Sequence, residues 1–202
     1  MEKFVARESE LEGIHAALIG DGSRRSVVLH GLGGIGKTQL AIAYAKRHKD
    51  DYSAVFWLDM KDTTSAKQSL VLFARRVLRH RPSAPYLNAV QLTGSLDEVA
   101  TAVLAWLSTP DNTRWLAICD NYDNPRVPGN SDPGAVDIRQ FLPEAYQGSV
   151  IITTRSSQVR IGPNMPVRKL TEVRESVEIL SNMSRRALSI DGEYVSASSR
   201  RY

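Results

Sequence analysis

The stretch Ser26–Ala45, SVVLHGLGGIGKTQLAIAYA, supports two parses. Gly31, Gly33 and Gly36 spell G-x-G-x-x-G, a dinucleotide-binding fingerprint. Gly31, Gly36, Lys37 and Thr38 spell G-x-x-x-x-G-K-T, a loop for nucleoside triphosphates. Each parse wants a strand, a glycine turn and a helix, so local structure does not separate them. Asp59 keeps the first parse open: it ends the next apolar run roughly 20 residues after the glycines, where an acid binds a ribose hydroxyl.

Lys37 and Thr38 favour the second parse. A dinucleotide pyrophosphate sits on backbone amides at a helix N-terminus and has little use for either side chain. A triphosphate carries more charge and a metal. Lys37 would neutralise the β- and γ-phosphates, and the Thr38 hydroxyl would ligate Mg²⁺. Gly31, Gly33, Gly34 and Gly36 let amides turn inward around phosphate without a Cβ in the way. Gln39, next on the helix, joins this binding set.

Two further sites follow downstream. RWLAICD ends at Asp120, an acid at the end of a buried strand and a candidate for the Mg²⁺ shell. SVIITTR ends at Arg155. Ligands of open parallel sheets bind beyond the carboxyl ends of the strands, which places Arg155 near the phosphates. Its fork suits a γ-phosphate oxygen.

The surrounding chain reads as alternating strands and helices. The apolar runs are SVVLH at Ser26, AVFWLDM at Ala54, RWLAICD at Arg114, SVIITT at Ser149 and a weaker PVRKL at Pro166. Unbroken β-branched runs suit strands buried on both faces of a parallel sheet wrapped by helices. Helical stripes run through Leu40, Ala41, Tyr44 and Ala45, through Leu70, Phe73, Ala74, Val77 and Leu78, and through Leu96, Val99, Ala100, Val103, Leu104 and Leu107. Ser95 and Glu98 predict a capping box on the last of these. The segment NYDNPRVPGNSDPG (121–134) reads as a turn-rich loop. Helical spacing resumes over Leu170–Leu180, and the chain beyond it reads as a poorly ordered tail.

Composition bounds the function. The chain has 202 residues, 42% hydrophobic, a formal net charge of +4 and one cysteine, Cys119. One α/β domain fits that length. A single cysteine excludes an internal disulfide and suits a reducing, cytoplasmic setting. The charged start MEKFVARESE does not read as a signal peptide. The longest apolar run, Val99–Leu107, is about half the ~20 residues a bilayer requires. No basic stripe interleaved with aromatics points to nucleic acid.

In order, FVARESELEGI, VVLHGLGGIGKTQLAIAYA, AVFWLDM, WLAICDN, FLP and GSVIITTR resemble the NB-ARC type of STAND P-loop NTPases, the switch ATPases of immune-type receptors and apoptosis regulators. The resemblance runs from about Phe4 to Leu180. It implies a three-layer α/β/α sandwich on a five-stranded, mostly parallel sheet, with the Arg155 strand inserted between the phosphate-loop strand and the Asp120 strand. It implies ATP/ADP and Mg²⁺ as ligands, Arg155 as a γ-phosphate sensor, and Phe4, Val5 and Arg7 against the adenine, with Ala6 where the family usually has Gly. Lys37, Asp120 and Arg155 would carry any hydrolysis. Asn121 stands where many active ATPases have a second acid, and an amide cannot accept a proton from water. At most a slow ATPase is expected, with Asp123 a candidate for positioning water. The expected division is a nucleotide-binding domain over 1–181 and a tail over 182–202. The family's lid and winged-helix domains are not found in the sequence, so other STAND-type domains or protomers are expected partners. The alternatives are an interaction scaffold with a degenerate nucleotide site and a P-loop ATPase or kinase of another class.

Overall fold

The structure is a computed structural model and describes residues 7–20, 24–145 and 147–169. Five strands form one sheet: β1 (Arg25–His30), β2 (Ala54–Asp59), β3 (Trp115–Asp120), β4 (Ser149–Thr154) and β5 (Asn164–Pro166). All pairings are parallel, in the order β2-β3-β4-β1-β5. The sheet expected as mostly parallel is therefore wholly so, and β4 does lie between β1 and β3.

Among the described residues four α-helices cover it: α1 (Glu8–Leu18), α2 (Lys37–Arg47), α3 (Thr63–His80) and α4 (Leu96–Leu107). Alternate residues of each strand feed two cores. Val28, Phe56, Leu58, Ala117, Cys119, Val150 and Ile152 pack with α3 and α4. Val27, Leu29, Leu116, Ile118 and Ile151 pack with α1 and α2. Burial on both faces is why these strands read as unbroken apolar runs and not as alternation. The α3/α4 side is knit by aromatic contacts: Phe56 meets Phe73 at 4.4 Å and Trp115 at 5.8 Å, and Phe73 meets Trp106 at 5.8 Å.

Helix starts follow local chemistry, with two departures from expectation. Asp62 caps α3 by accepting from the Ser65 amide at 2.7 Å. At α4 the Ser95 hydroxyl accepts from the Asp97 amide at 3.2 Å, one residue short of the reciprocal bond a capping box needs. The final strand also starts earlier than PVRKL suggested, because Val28, Leu29 and His30 of β1 pair with Asn164, Met165 and Pro166. α1 is an amphipathic helix whose buried Leu11, Ile14 and Leu18 were not singled out from sequence. It is tied to α2 by Glu8 and Arg47, at 2.5 and 3.0 Å. That guanidinium holds the Glu8 carboxyl below its usual range.

Among the described residues β3 returns to β4 with no α-helix, through a long loop and one turn of 3-10 helix at Ile138–Phe141. The intervening loop is stitched by its own side chains, as its turn residues predict: Asn130 to Asn124 at 2.9 Å, Asn124 to Asp132 at 3.0 Å, and the Gly134 amide to Asp132 at 2.8 Å. The helix expected over 170–180 and the tail lie outside the described residues.

Candidate functional site

Because every strand is parallel, the carboxyl ends of β1, β3 and β4 open on the same edge. The chain from β1 turns through the glycines into α2. Gly36, the residue before the helix, has φ +97°, and Gly34 has φ +74°. L side chains rarely adopt that region, so the turn is available chiefly to glycine. Gly31 is constrained twice, by φ +146° and by the Val167 carbonyl, which lies 2.7 Å from where a Cβ would be.

The loop wraps a cleft of about 240 Å³ whose lining includes Gly33, Gly34, Lys37, Thr38, Asn121 and Arg155. Gln39 lines it too. Lys37 Nζ donates to the carbonyls of Gly31 and Leu32, both at 2.9 Å. Partial burial lowers its pKa. Asp123 and Asp120 oppose that shift, and the Arg155 charge adds to it. The ammonium is thus held over the loop and electrostatically under-compensated, which suits a polyanion.

Thr38 Oγ1 donates to Asp120 Oδ1 at 2.9 Å. Two segments 82 residues apart in sequence, with only β4 between their strands, therefore place a hydroxyl and a carboxylate side by side. Thr153 Oγ1, from β4, donates to the same Oδ1 at 2.5 Å and accepts from the Asn121 amide at 3.2 Å. Asp120 is buried, and its charge is steadied by two hydroxyls. Hard oxygen donors of this kind fit Mg²⁺, which binds through one or two protein oxygens and keeps several waters.

Arg155 stands across the cleft, its guanidinium 3.5 Å from where a Gly33 Cβ would be. Asp123 grips it twice: one carboxylate oxygen accepts from the Arg155 amide at 2.7 Å and the other pairs with Nε at 2.9 Å. Asp123 therefore orients Arg155. Asn121 adopts φ +62°, a conformation Asn tolerates, and its amide group reaches Asp59 at 3.4 Å.

Arg7 approaches from beneath. Its guanidinium is buried and donates to the Ile35 carbonyl in the loop at 2.8 Å and to the Arg168 carbonyl after β5 at 3.0 Å. The contact with Ile35 buttresses the loop. Phe4 and Val5 lie outside the described residues.

Strand order also separates the two parses of the glycine stretch. In the dinucleotide fold the second strand neighbours the first, which brings its terminal acid to the loop. Here β2 is at the far edge, with β3 and β4 intervening. Asp59 accordingly faces Asn121 and the Lys61 amide rather than the glycines.

Thr153 was the residue sequence reading passed over. SVIITTR names it, but its contact with Asp120 depends on β4 lying beside β3. In a list of strand-end threonines nothing marks it.

A parallel sheet of this order, with a Lys-Thr loop at β1 and an acid at the end of β3, defines a P-loop NTPase domain. The chain belongs to the AAA ATPase domain family, whose model matches residues 3–187. It is 27% identical over 165 residues to a nucleotide-binding leucine-rich repeat (NLR)-like protein of Hyaloscypha variabilis. Together these support an NLR/STAND-type P-loop NTPase domain. The match covers 76% of this chain and 16% of that protein, so the chain spans only a small part of its relative's length. Among solved structures it resembles Cdc6p from Pyrobaculum aerophilum (TM-score 0.54, 14% identity, 92% of this chain and 52% of that one). It also resembles the Walker-type ATPase of Pyrococcus abyssi (TM-score 0.56, 15% identity, 91% and 59%). At such identities these two likenesses speak for the fold alone.

Proposed function

We propose that this domain is an ADP/ATP-binding, Mg²⁺-dependent switch module of a STAND-type signalling protein, with slow intrinsic hydrolysis. The observation that carries the reading is the 2.9 Å contact between Thr38 Oγ1 and Asp120 Oδ1 beneath the Lys37 loop. Thr38 and Asp120 would hold Mg²⁺, directly or through water, and the metal would neutralise phosphate charge. Lys37 and the loop amides of Gly31, Gly33, Gly34 and Gly36 would bind the phosphates, with Gln39 at the cleft wall. Arg155, aimed over Gly33 by Asp123, would distinguish ATP from ADP. Phe4 and Val5 would contribute to adenine binding, with Arg7 fixing the loop behind them.

Slow hydrolysis follows from the groups around the cleft. Asn121 offers no proton acceptor, and Asp123 is already paired with Arg155. Steady-state turnover above about 1 s⁻¹, the low end of ordinary enzymes, would refute it. Other STAND-type domains or protomers are the partners that fit such a switch. A reducing cytoplasm suits the single buried thiol. Among the described residues no helix is long and apolar enough to cross a membrane.

Thermal denaturation with ADP, ATP, Mg²⁺ and NAD tests the proposal. A nucleotide at 100 times its Kd should add about 2.7 kcal/mol of stability. Lys37→Ala should abolish the response. A response to NAD alone would restore the dinucleotide reading, and no response to any nucleotide would leave an interaction scaffold.

A further inference from the structure

The opposite end of the sheet carries a second group of chemistry-bearing side chains. α2 has 11 residues, so its last turn lies about 16 Å from the phosphate loop. His48 follows that turn, Asp51 lies in the connection to β2, and His15 arrives from α1. One donor atom from each lies within 4.8 Å of the others. His48 Nδ1 is 2.8 Å from Asp51 Oδ2. The His15 and His48 rings stack at 4.1 Å with planes 21° apart.

We infer that His15, His48 and Asp51 form a binding site for one divalent first-row transition metal, zinc being the ion that fits best. Two imidazoles and a carboxylate are borderline donors that suit zinc. Magnesium and calcium prefer all-oxygen shells, so the ligand class separates this site from the nucleotide end. Ligands at zinc distances stand about 3.3 Å apart around a tetrahedron. The His48–Asp51 edge is already shorter than that, and the widest edge has about 1.5 Å to close.

The surroundings hold the donors close together, and metal binding would turn the two rings out of their stack to aim both lone pairs at one ion. Tyr44 Oη lies 3.4 Å from His15 Nδ1 and 3.0 Å from Tyr52 Oη. With Tyr44 donating to Tyr52 and accepting from Nδ1–H, the His15 lone pair is left on Nε2. An outer partner of this kind orients most metal-binding histidines. Arg114 holds the Asp51 turn by donating to the backbone carbonyls of Asp50 and Asp51, at 3.0 to 3.1 Å. The Asp51 amide closes the turn onto the His48 carbonyl at 3.1 Å. A cavity of about 420 Å³ borders the cluster on the side of His15 and Asp51, with Tyr44 and Tyr52 in its wall and His48 outside its lining, and would let a water reach the ion as fourth ligand. The metal would staple α1 to the helix that carries the phosphate loop. The inference does not rest on the nucleotide reading.

The test uses the untagged full chain stripped with chelator, Co²⁺ as spectroscopic probe and Zn²⁺ by calorimetry. One Co²⁺ per chain is expected to give the strong visible absorption of a low-coordinate site. One equivalent of Zn²⁺ should displace it and raise the unfolding midpoint. His48→Gln and the exposed Asp51→Asn should each weaken Zn²⁺ at least about tenfold, with far-UV dichroism confirming the fold. Lys37→Ala should leave Zn²⁺ binding unchanged. Zn²⁺ binding weaker than about 10 μM, or parent-like binding by both folded variants, would overturn the assignment.

Discussion

Replacing Thr153 by Val isolates one hydroxyl at the hub of the nucleotide cleft. The side chain is buried, so its shape is kept while two hydrogen bonds go. The bond to the Asp120 carboxylate is charge-assisted, and its loss should cost about 1.5–3 kcal/mol. The Asn121 amide loses its acceptor, for about 1 kcal/mol more. The added methyl returns about 0.8 kcal/mol through burial. A net loss of about 2–3 kcal/mol is expected in urea unfolding without ligand. Asp120 would then be steadied by Thr38 alone. Because outer partners of a metal-binding group are typically worth 10–100-fold, the stabilisation by Mg²⁺ and ADP should shrink by about 1.4–2.7 kcal/mol at fixed ligand. Thr153→Ser keeps the hydroxyl, so it should cost only about 1 kcal/mol and retain the ligand response. A Val variant within about 0.5 kcal/mol of the parent, or a Ser variant as damaged as Val, would refute the role given to this hydroxyl.

Asp123→Ala frees an exposed arginine, so stability should change by under about 1 kcal/mol, while the ratio of ATP to ADP affinity falls; an unchanged ratio in titration calorimetry would contradict the positioning role. Gly148→Ala should destabilise by about 3 kcal/mol in denaturant melts, since φ is +77° and the new Cβ would lie 2.3 Å from the Trp115 ring; a parent-like melt would count against it. Burial, helped by the Asp120 charge, pushes the Cys119 thiol up from 9.0 to about 12. The unfolded chain then releases this proton first, so between those values stability should fall with rising pH by about 1.4 kcal/mol per unit from this group. Cys119→Ala should flatten that alkaline slope, and native Cys119 should resist thiol reagents until the chain unfolds.

What could be read along the chain was what local physics writes there. Gly31 to Thr38 announced a phosphate loop because φ-permissive glycines and a Lys-Thr pair act over a few residues. Val27–Leu29, Leu116–Cys119 and Val150–Ile152 announced buried strands because both sheet faces are covered. The stripes of α2, α3 and α4 were visible for the same reason. At α4 the local rule over-reached, since Ser95 reaches the Asp97 amide and not that of Glu98.

Within the glycine stretch Lys37 and Thr38 already favoured the triphosphate parse, but only the resemblance to a known family anticipated where β4 would go. Strand order is non-local: it depends on which edges pair after long crossovers, and no short window encodes it. The tertiary structure sent β2 and Asp59 to the far edge and set β4 between β1 and β3. That placement brought Thr153 to Asp120 and Arg155 over Gly33. It likewise brought His15 of α1 to the His48–Asp51 turn, because packing α1 against α2 fixes distances that spacing along the chain does not.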